Sequence, residues 1–478
     1  MATGQSKTKW DSDLSASNGW PGNGLTNSGS QNVEIALTYT GKLNESAILN
    51  QKPGEYTCLH EGCDTNNRLY FADNLPVLAA LMNDQSVRGQ VRLIYIDPPY
   101  ATGGVFKSRT EKDAYTDLMT GADYIEFLRQ RLVFLRELLA DDGSIYVHLD
   151  TNMAFQIKLI MDEVFGESNF RNWITRKKCN PKNYTRKTYG NISDFILFYT
   201  KSDKYVWQRP YNPWTEESAK KEYQYVEEET GRRYKKVPIH APGTRNGATG
   251  QPWRGMMPPP GKHWQYTPDK LEQMDARGEI YWSPTGNPRR KIYFDQSPGK
   301  PAQDIWLDFK DAHNQNIKIT GYPTEKNPDL LRRIIQASSN PGDIVLDCFA
   351  GSGTTLAVAD ELERRWLGID NSLAAIETII KRFVVGREVM GDFVNGQAKE
   401  SLDNTPQMTL FDYLPDESEQ GKQDKVDDQE GRVVAQETKS ATADPINFSI
   451  FAPEQQRPAV ATVIAKWCKQ AIPEKIDV

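Results

Sequence analysis

The chain has 478 residues, 38% of them hydrophobic and 26% charged, with a formal net charge of −6. That length can bury a full α/β core plus one or two smaller units, and no long apolar stretch or charged-then-apolar N-terminus points to a membrane span or a signal peptide. Five scattered cysteines argue against a disulfide framework and for a reducing, cytoplasmic setting.

Residues 1–32 are rich in Gly, Ser and Asn with little apolar content, the composition of a disordered start. Cys58-Leu59-His60-Glu61-Gly62-Cys63 has the makings of half a zinc site, but a fourth ligand is missing and no metal is expected. From Leu69 the pattern alternates between strand and helix, which implies a mostly parallel sheet with helices on its faces. Val91-Arg92-Leu93-Ile94-Tyr95-Ile96 reads as a buried strand, and Asp97-Pro98-Pro99-Tyr100 stands at its carboxyl end, where open α/β sheets place their chemistry. Two prolines remove two N–H donors and fix φ, leaving a rigid wall of carbonyl oxygens and one carboxylate. Such a wall takes both N–H bonds of an exocyclic amine, with the Tyr100 ring placed to stack on a base. A strand ending in a Pro-rich turn is the plainer alternative. Ala101-Thr102-Gly103-Gly104 supplies a segment able to close over a ligand.

Ile125, Leu128, Leu132, Leu135 and Leu139 form one face of a scaffold helix, and Asp141-Asp142-Gly143 turns into a strand from Ser144 to Leu149. A helix over Met153–Phe165 precedes two strands, Asn172–Lys177 and Asp194–Tyr199. Arg171 to Gly190 holds seven basic residues and no acid, with Tyr184 and Tyr189 interleaved. Phosphate contact and base stacking ask for this mixture; a charge run is more often a solvated face, but beside the base-stacking chemistry of the Asp97 loop Arg176, Lys177, Lys178, Lys182 and Arg186 are candidates to meet DNA. Residues 171–310 carry 26 basic and 15 acidic side chains, and the negative balance of the whole chain comes from residues 401–478, with 8 basic and 14 acidic. The alternating pattern breaks over residues 202–310, which hold Pro258-Pro259-Pro260 and several Gly turns. Trp253, Trp264, Trp282 and Trp306 suit the core of a small unit better than an exposed platform, and Arg289-Arg290-Lys291 suits a groove or phosphate contact.

Asp343 to Asp347 begins a second buried strand that runs into Cys348-Phe349-Ala350-Gly351-Ser352-Gly353-Thr354-Thr355. Its glycines allow close approach of a ligand, and Thr354 or Thr355 can cap the helix that follows. Thr354 stands where a phosphate-binding P-loop needs Lys. Trp366-Leu367-Gly368-Ile369-Asp370 ends in an acid placed to grip ribose hydroxyls, so the pair of segments fits an adenosyl ligand without phosphates. After about Pro415 an acidic linker reaches roughly to Pro445, and the short helical stripe Val460, Val463, Ile464, Trp467 and Ala471 follows, to dock on the body or on a partner.

These motifs together resemble the β-class DNA amino-methyltransferases that use S-adenosylmethionine, in the group where the DPPY-type motif precedes the FxGxG-type motif. The resemblance runs from about Leu69 to Val385, and the general layout is also similar to type III modification subunits. It implies a Rossmann-like α/β methyltransferase sheet with helices on both faces, a circularly permuted motif order and an inserted target-recognition region. The implied divisions are 33–201 for the catalytic half, 202–310 for the insertion, 311–400 for the cofactor half, 401–447 for the linker and 448–478 for a C-terminal module. By the same resemblance Asp97, Pro98, Pro99 and Tyr100 act on the target amine. Asp73, Asp97, Thr324, Lys326, Asp347, Phe349, Ala350, Gly351, Ser352, Gly353, Thr354 and Asp370 contact the cofactor, with Ala72 where relatives often carry Gly. The implied reaction is methylation of adenine N6 in double-stranded DNA by direct in-line attack on a flipped base, without a covalent enzyme intermediate. N4-cytosine methylation, RNA methylation and non-catalytic DNA binding stay open beside it, as do a partner restriction endonuclease subunit and a homodimer.

Overall fold

The computed structural model describes residues 35–62, 66–99, 105–107, 113–116, 121–181, 187–311, 318–320, 322, 325–386, 388–389 and 446–470. The expected disordered start and acidic linker lie outside these residues. Ten strands form one sheet: β1 (Thr57–His60), β2 (Arg68–Phe71), β3 (Val91–Ile96), β4 (Leu139–Leu149), β5 (Phe170–Lys177), β6 (Ser193–Thr200), β7 (Ile305–Trp306), β8 (Ile344–Asp347), β9 (Arg365–Asp370) and β10 (Ser449–Ala452). Their order in space is β1-β10-β2-β9-β8-β3-β4-β6-β5-β7. The six strands from β10 to β4 run parallel, while β1 and β6 are antiparallel to their neighbours. Helices α1 (Asn74–Leu81), α2 (Gly121–Leu138) and α3 (Ala154–Phe165) pack on one face. Helices α4 (Pro328–Ser338), α5 (Thr354–Glu361), α6 (Leu373–Val384) and α7 (Arg457–Gln470) pack on the other. The protein therefore has a Rossmann-like α/β fold, in which the chain before the insertion covers one face and the chain after it covers the opposite one.

The central strands are apolar without alternation because both of their faces are covered: Val91, Leu93, Ile94 and Ile96 are each fully buried. The expected turn at Asp141-Asp142-Gly143 is instead an irregularity inside a longer strand. Leu139 pairs with Val91 and Ser144 with Leu93, so the extra residues of β4 loop out and pairing resumes.

The C-terminal module is not a separate unit. β10 lies between β1 and β2, and Ile446, Phe448, Ile450 and Ala452 are fully buried in the core beneath α6 and α7. The helix alone is too small to hold itself, and the strand that precedes it, which the sequence reading left unassigned within the module, decides where it docks.

The inserted unit has its own four-stranded antiparallel sheet, Tyr225–Val226, Arg233–Pro238, Pro288–Tyr293 and Ile280–Trp282 in spatial order. Ile239, Trp253, Trp264, Leu271, Met274 and Ile280 form its core, with Trp282 packed against them. Trp306 belongs to β7 and to the main core instead. The pairing of Tyr211–Asn212 with Lys300–Pro301 closes the neck of the insertion.

Candidate active site

At the carboxyl end of β8 the chain turns toward β9 through α5 on one face, whereas from β3 it turns toward β4 through α2 on the other. A crevice opens at such a divergence. It holds a cavity lined by Tyr95, Asp97, Pro98 and Pro99 from one half of the chain and by Tyr322, Lys326, Asp347, Phe349, Ala350, Gly351, Ser352, Thr354, Thr355, Asp370 and Asn371 from the other.

The loop after β8 is shaped by its glycines. Gly351 and Gly353 have φ of +51° and +71°, and a Cβ at Gly353 would lie 2.8 Å from Ile379 Cγ1. Gly353 itself occupies the N-cap of α5 with no side-chain cap, so the expected capping by Thr354 or Thr355 does not occur. Thr355 donates instead to Asp347 Oδ2 at 2.6 Å, and the Thr354 and Ser352 hydroxyls lie 3.1 Å apart. The Phe349 N–H donates to Asp347 Oδ1 at 3.0 Å. Asp370 closes the loop from below, accepting from Gly351 N at 2.8 Å and Ser372 N at 2.9 Å.

Burial governs the charge of these acids. It raises the Asp347 carboxyl to about 7 against the pull of Thr355 and the Phe349 N–H, and raises Asp370 to about 6 against the N–H groups of Ser372, Gly351 and Asn371. Two buried carboxylates in one cavity call for hydroxyl donors and positive charge. The ribose hydroxyls and sulfonium of an adenosyl cofactor carry both, so the residues present fit that group.

Across the cavity Lys326 Nζ meets Asp97 Oδ2 at 2.6 Å. The segment bearing Lys326 is pinned by Glu325, which is 2% exposed and bonds Arg382 Nη2 at 2.5 Å and the Thr320 N–H and hydroxyl at 2.8 and 2.7 Å. The two halves of the site also join behind the cavity: Asn74 donates to Cys348 O at 2.7 Å and accepts from Arg131 Nε at 2.5 Å.

Of the residues expected to act or to bind cofactor, Asp97, Pro98, Pro99, Lys326, Asp347, Phe349, Ala350, Gly351, Ser352, Thr354 and Asp370 meet around this cavity, and Gly353 stands in its loop. Asp73 lies apart from the lining: it caps α1 through Leu75 N at 3.0 Å and pairs with Arg131 at 2.9 Å. Tyr100, Thr324 and the closing segment 101–104 lie outside the described residues. Tyr95, Tyr322, Thr355 and Asn371 are additions. Tyr95 was legible in principle, since it precedes Asp97 by two positions and so shares its side of the strand.

The DNA-facing candidates divide. Arg176 is a correction: it is fully buried, donating from Nε to Phe309 O at 2.6 Å, from Nη1 to Asp194 at 2.8 Å and from Nη2 to Asp311 at 2.5 Å. An arginine so enclosed cannot reach a phosphate. Lys177 and Lys178 are half-buried at the end of β5, while Lys182 and Arg186 fall outside the described residues. In the insertion Arg289 is exposed, Arg290 is half-buried and donates to the Tyr266 hydroxyl at 2.6 Å, and Lys291 pairs with Glu227 at 2.7 Å. Cys58 is exposed and Cys63 is outside the described residues, among which no group of three or more metal-ligating side chains gathers. No helix among them is long and apolar enough to cross a membrane.

The N6/N4 family of DNA methylases matches residues 91–382. The type II methyltransferase M.EcaI of Enterobacter cloacae is 49% identical over 372 residues, covering 76% of this chain and 80% of that protein. The Mod subunit of the type III restriction-modification enzyme StyLTI of Salmonella typhimurium is 28% identical over 338 residues, and the match covers 63% of this chain and 51% of the subunit. The DNA adenine methyltransferase YhdJ of Escherichia coli K12 is 40% identical over 107 residues, 21% of this chain and 36% of that protein. The matched segment begins at β3, which carries Asp97, and ends in α6, which supplies Arg382, so it encloses both halves of the cavity: the chain belongs to the N6/N4 DNA methylase family and is a DNA methyltransferase.

Proposed function

We propose that the chain methylates adenine at N6 within a specific sequence of duplex DNA, in the cytoplasm, with S-adenosylmethionine as methyl donor. The observation that carries this reading is the position of Asp97, whose carboxylate shares one cavity with Asp347 and Asp370 and lines it beside Pro98 and Pro99. The cofactor supplies an electrophilic methyl group on a sulfonium. Asp370 takes the ribose hydroxyls, the loop from Phe349 to Thr354 takes the remainder of the adenosyl group, and Lys326 takes the carboxylate end. Asp97 and the Pro98 carbonyl accept the two N–H bonds of the target amine, drawing its lone pair out of the ring and into a more tetrahedral, nucleophilic form. Because that amine lies inside the stacked duplex, the base is flipped into the site.

Adenine is favoured over cytosine by the Asp at position 97, which relatives acting on N4 more often replace with Ser, and by the likeness to YhdJ over 107 residues. Likeness to restriction-modification proteins supports a partner endonuclease. Nucleoside mass spectrometry on DNA from cells expressing the protein is expected to show N6-methyladenine, absent from an Asp97→Ala control. N4-methylcytosine in its place would overturn the choice of base.

A further inference from the structure

A row of polar side chains crosses the buried face of the sheet beneath the cavity, where packing against helices ordinarily selects aliphatic residues. Tyr95 of β3, His148 of β4, Asp194 of β6 and Arg176 of β5 stand on four adjacent strands and are 1%, 0%, 3% and 0% exposed. The Tyr95 hydroxyl lies 2.7 Å from His148 Nδ1, His148 Nε2 lies 3.0 Å from Asp194 Oδ2, and Arg176 Nη1 donates to that same oxygen at 2.8 Å. Burial works to raise the Asp194 carboxyl, yet His148, Arg176 and Lys326 hold it well below the usual carboxylate range. His148 thus stands between Asp194 on its Nε2 side and the Tyr95 hydroxyl on its Nδ1 side.

The row joins two segments that face each other across the cavity. At one end Tyr95 lines it, two residues before Asp97. At the other, Arg176 holds the chain at Phe309 and Asp311, and Asp311 N donates to Lys178 O at 2.8 Å. Asn327 donates to Lys310 O at 3.2 Å, and its neighbour Lys326 returns to Asp97 at 2.6 Å. Hydrogen bonds, ion pairs and the short chain segments between them thus close a circuit that runs from Tyr95 back to Asp97. A buried ionic row is a weak source of stability, since apolar residues of similar volume are often about as stable in its place.

We infer that Tyr95, His148 and Asp194 are positioning residues for methyl transfer: through this row they hold the Asp97 wall and the Lys326 segment at a fixed separation, so that Asp97 meets the amine in a productive geometry. The inference rests on the role proposed for Asp97. Tyr95→Phe deletes only the hydroxyl that His148 grips. Transfer of labelled methyl groups into unmethylated genomic DNA is expected to show kcat about tenfold lower, with KM for DNA and calorimetric Kd for S-adenosylmethionine within twofold and the melting temperature unchanged. His148→Gln keeps a polar group toward Asp194 but moves its acceptor off the Nδ1 position that faces Tyr95, so it should show the same loss, and the double variant no more than either single one. Unchanged kcat in Tyr95→Phe overturns the role, as does a loss that follows a fall in melting temperature or cofactor affinity. Labelled methyl is counted whichever base accepts it, so an error in the choice of adenine shows as a different wild-type product and leaves this comparison intact.

Discussion

Asp97 is the residue on which the chemistry turns, and its pairing with Lys326 at 2.6 Å holds its carboxylate at the cavity. Asp97→Ala is expected to leave no more than about 1% of wild-type kcat, with DNA affinity within a few-fold, because phosphate contacts carry affinity and Asp97 acts on the amine alone. Residual turnover well above that level would count against its role. Asp370 gives the site a pH dependence. A carboxyl raised to about 6 is protonated below that pH and accepts ribose hydroxyls poorly, so cofactor affinity should weaken roughly tenfold as pH falls from 7.5 to 5. Asp370→Asn should remove this component, leaving what Asp347 contributes near 7. The same shift acts oppositely on the unliganded fold. The folded state holds these protons more tightly than the unfolded chain, so the two acids favour it at low pH and lose that contribution as pH rises through about 6 and 7. Calorimetric affinities that are flat from pH 5 to 8 would remove the assignment.

At the scale of elements, three segments of the cavity were legible because each is a strand that carries its site residues at or just past its carboxyl end: 91–99, 344–354 and 365–370. The polar row was not, since its bonds join Tyr95 to a residue 53 positions away and Arg176 to residues 18 and 133 away. Arg176 read as DNA-facing because its neighbours are basic, while the carboxylates that enclose it come from β6 and from Asp311, outside that run. The C-terminal strand escaped notice for a similar reason. Four residues of β10 carry little signal alone, and their value comes from a slot between β1 and β2 that only the assembled sheet contains. Phe448, just before that strand, anchors it by packing against Trp366 and Phe383, with ring centroids 5.0 Å from each. Phe448→Ala is expected to cost about 3 kcal/mol in chemical denaturation, and a chain cut before residue 446 to aggregate. A truncated protein that folds and methylates DNA would show the strand to be dispensable.

For the molecule as a whole, charge is apportioned so that the acidic excess lies in residues 401–478 and the basic excess in residues 171–310. Within the insertion much of that basic charge is spent internally, as in the Lys291–Glu227, Lys235–Glu222 and Arg232–Asp295 pairs. Exposed Arg289 is the better test of DNA contact than its neighbours. Arg289→Ala should weaken DNA binding and reduce the slope of log K against log salt by about one. Arg176→Ala should instead lower the melting temperature and leave that slope alone, and an equal slope in wild type and Arg289→Ala would place the phosphate contact elsewhere. The position of β10 also orders events in time. β1 and β2 leave the ribosome hundreds of residues before the strand that lies between them. At about 5 to 20 residues per second that interval lasts roughly 20 to 75 s, during which the edge of β2 has no partner. Completion of the sheet therefore waits on synthesis of β10, so a nascent chain tethered short of that strand presents an open, aggregation-prone edge to its neighbours on the same message.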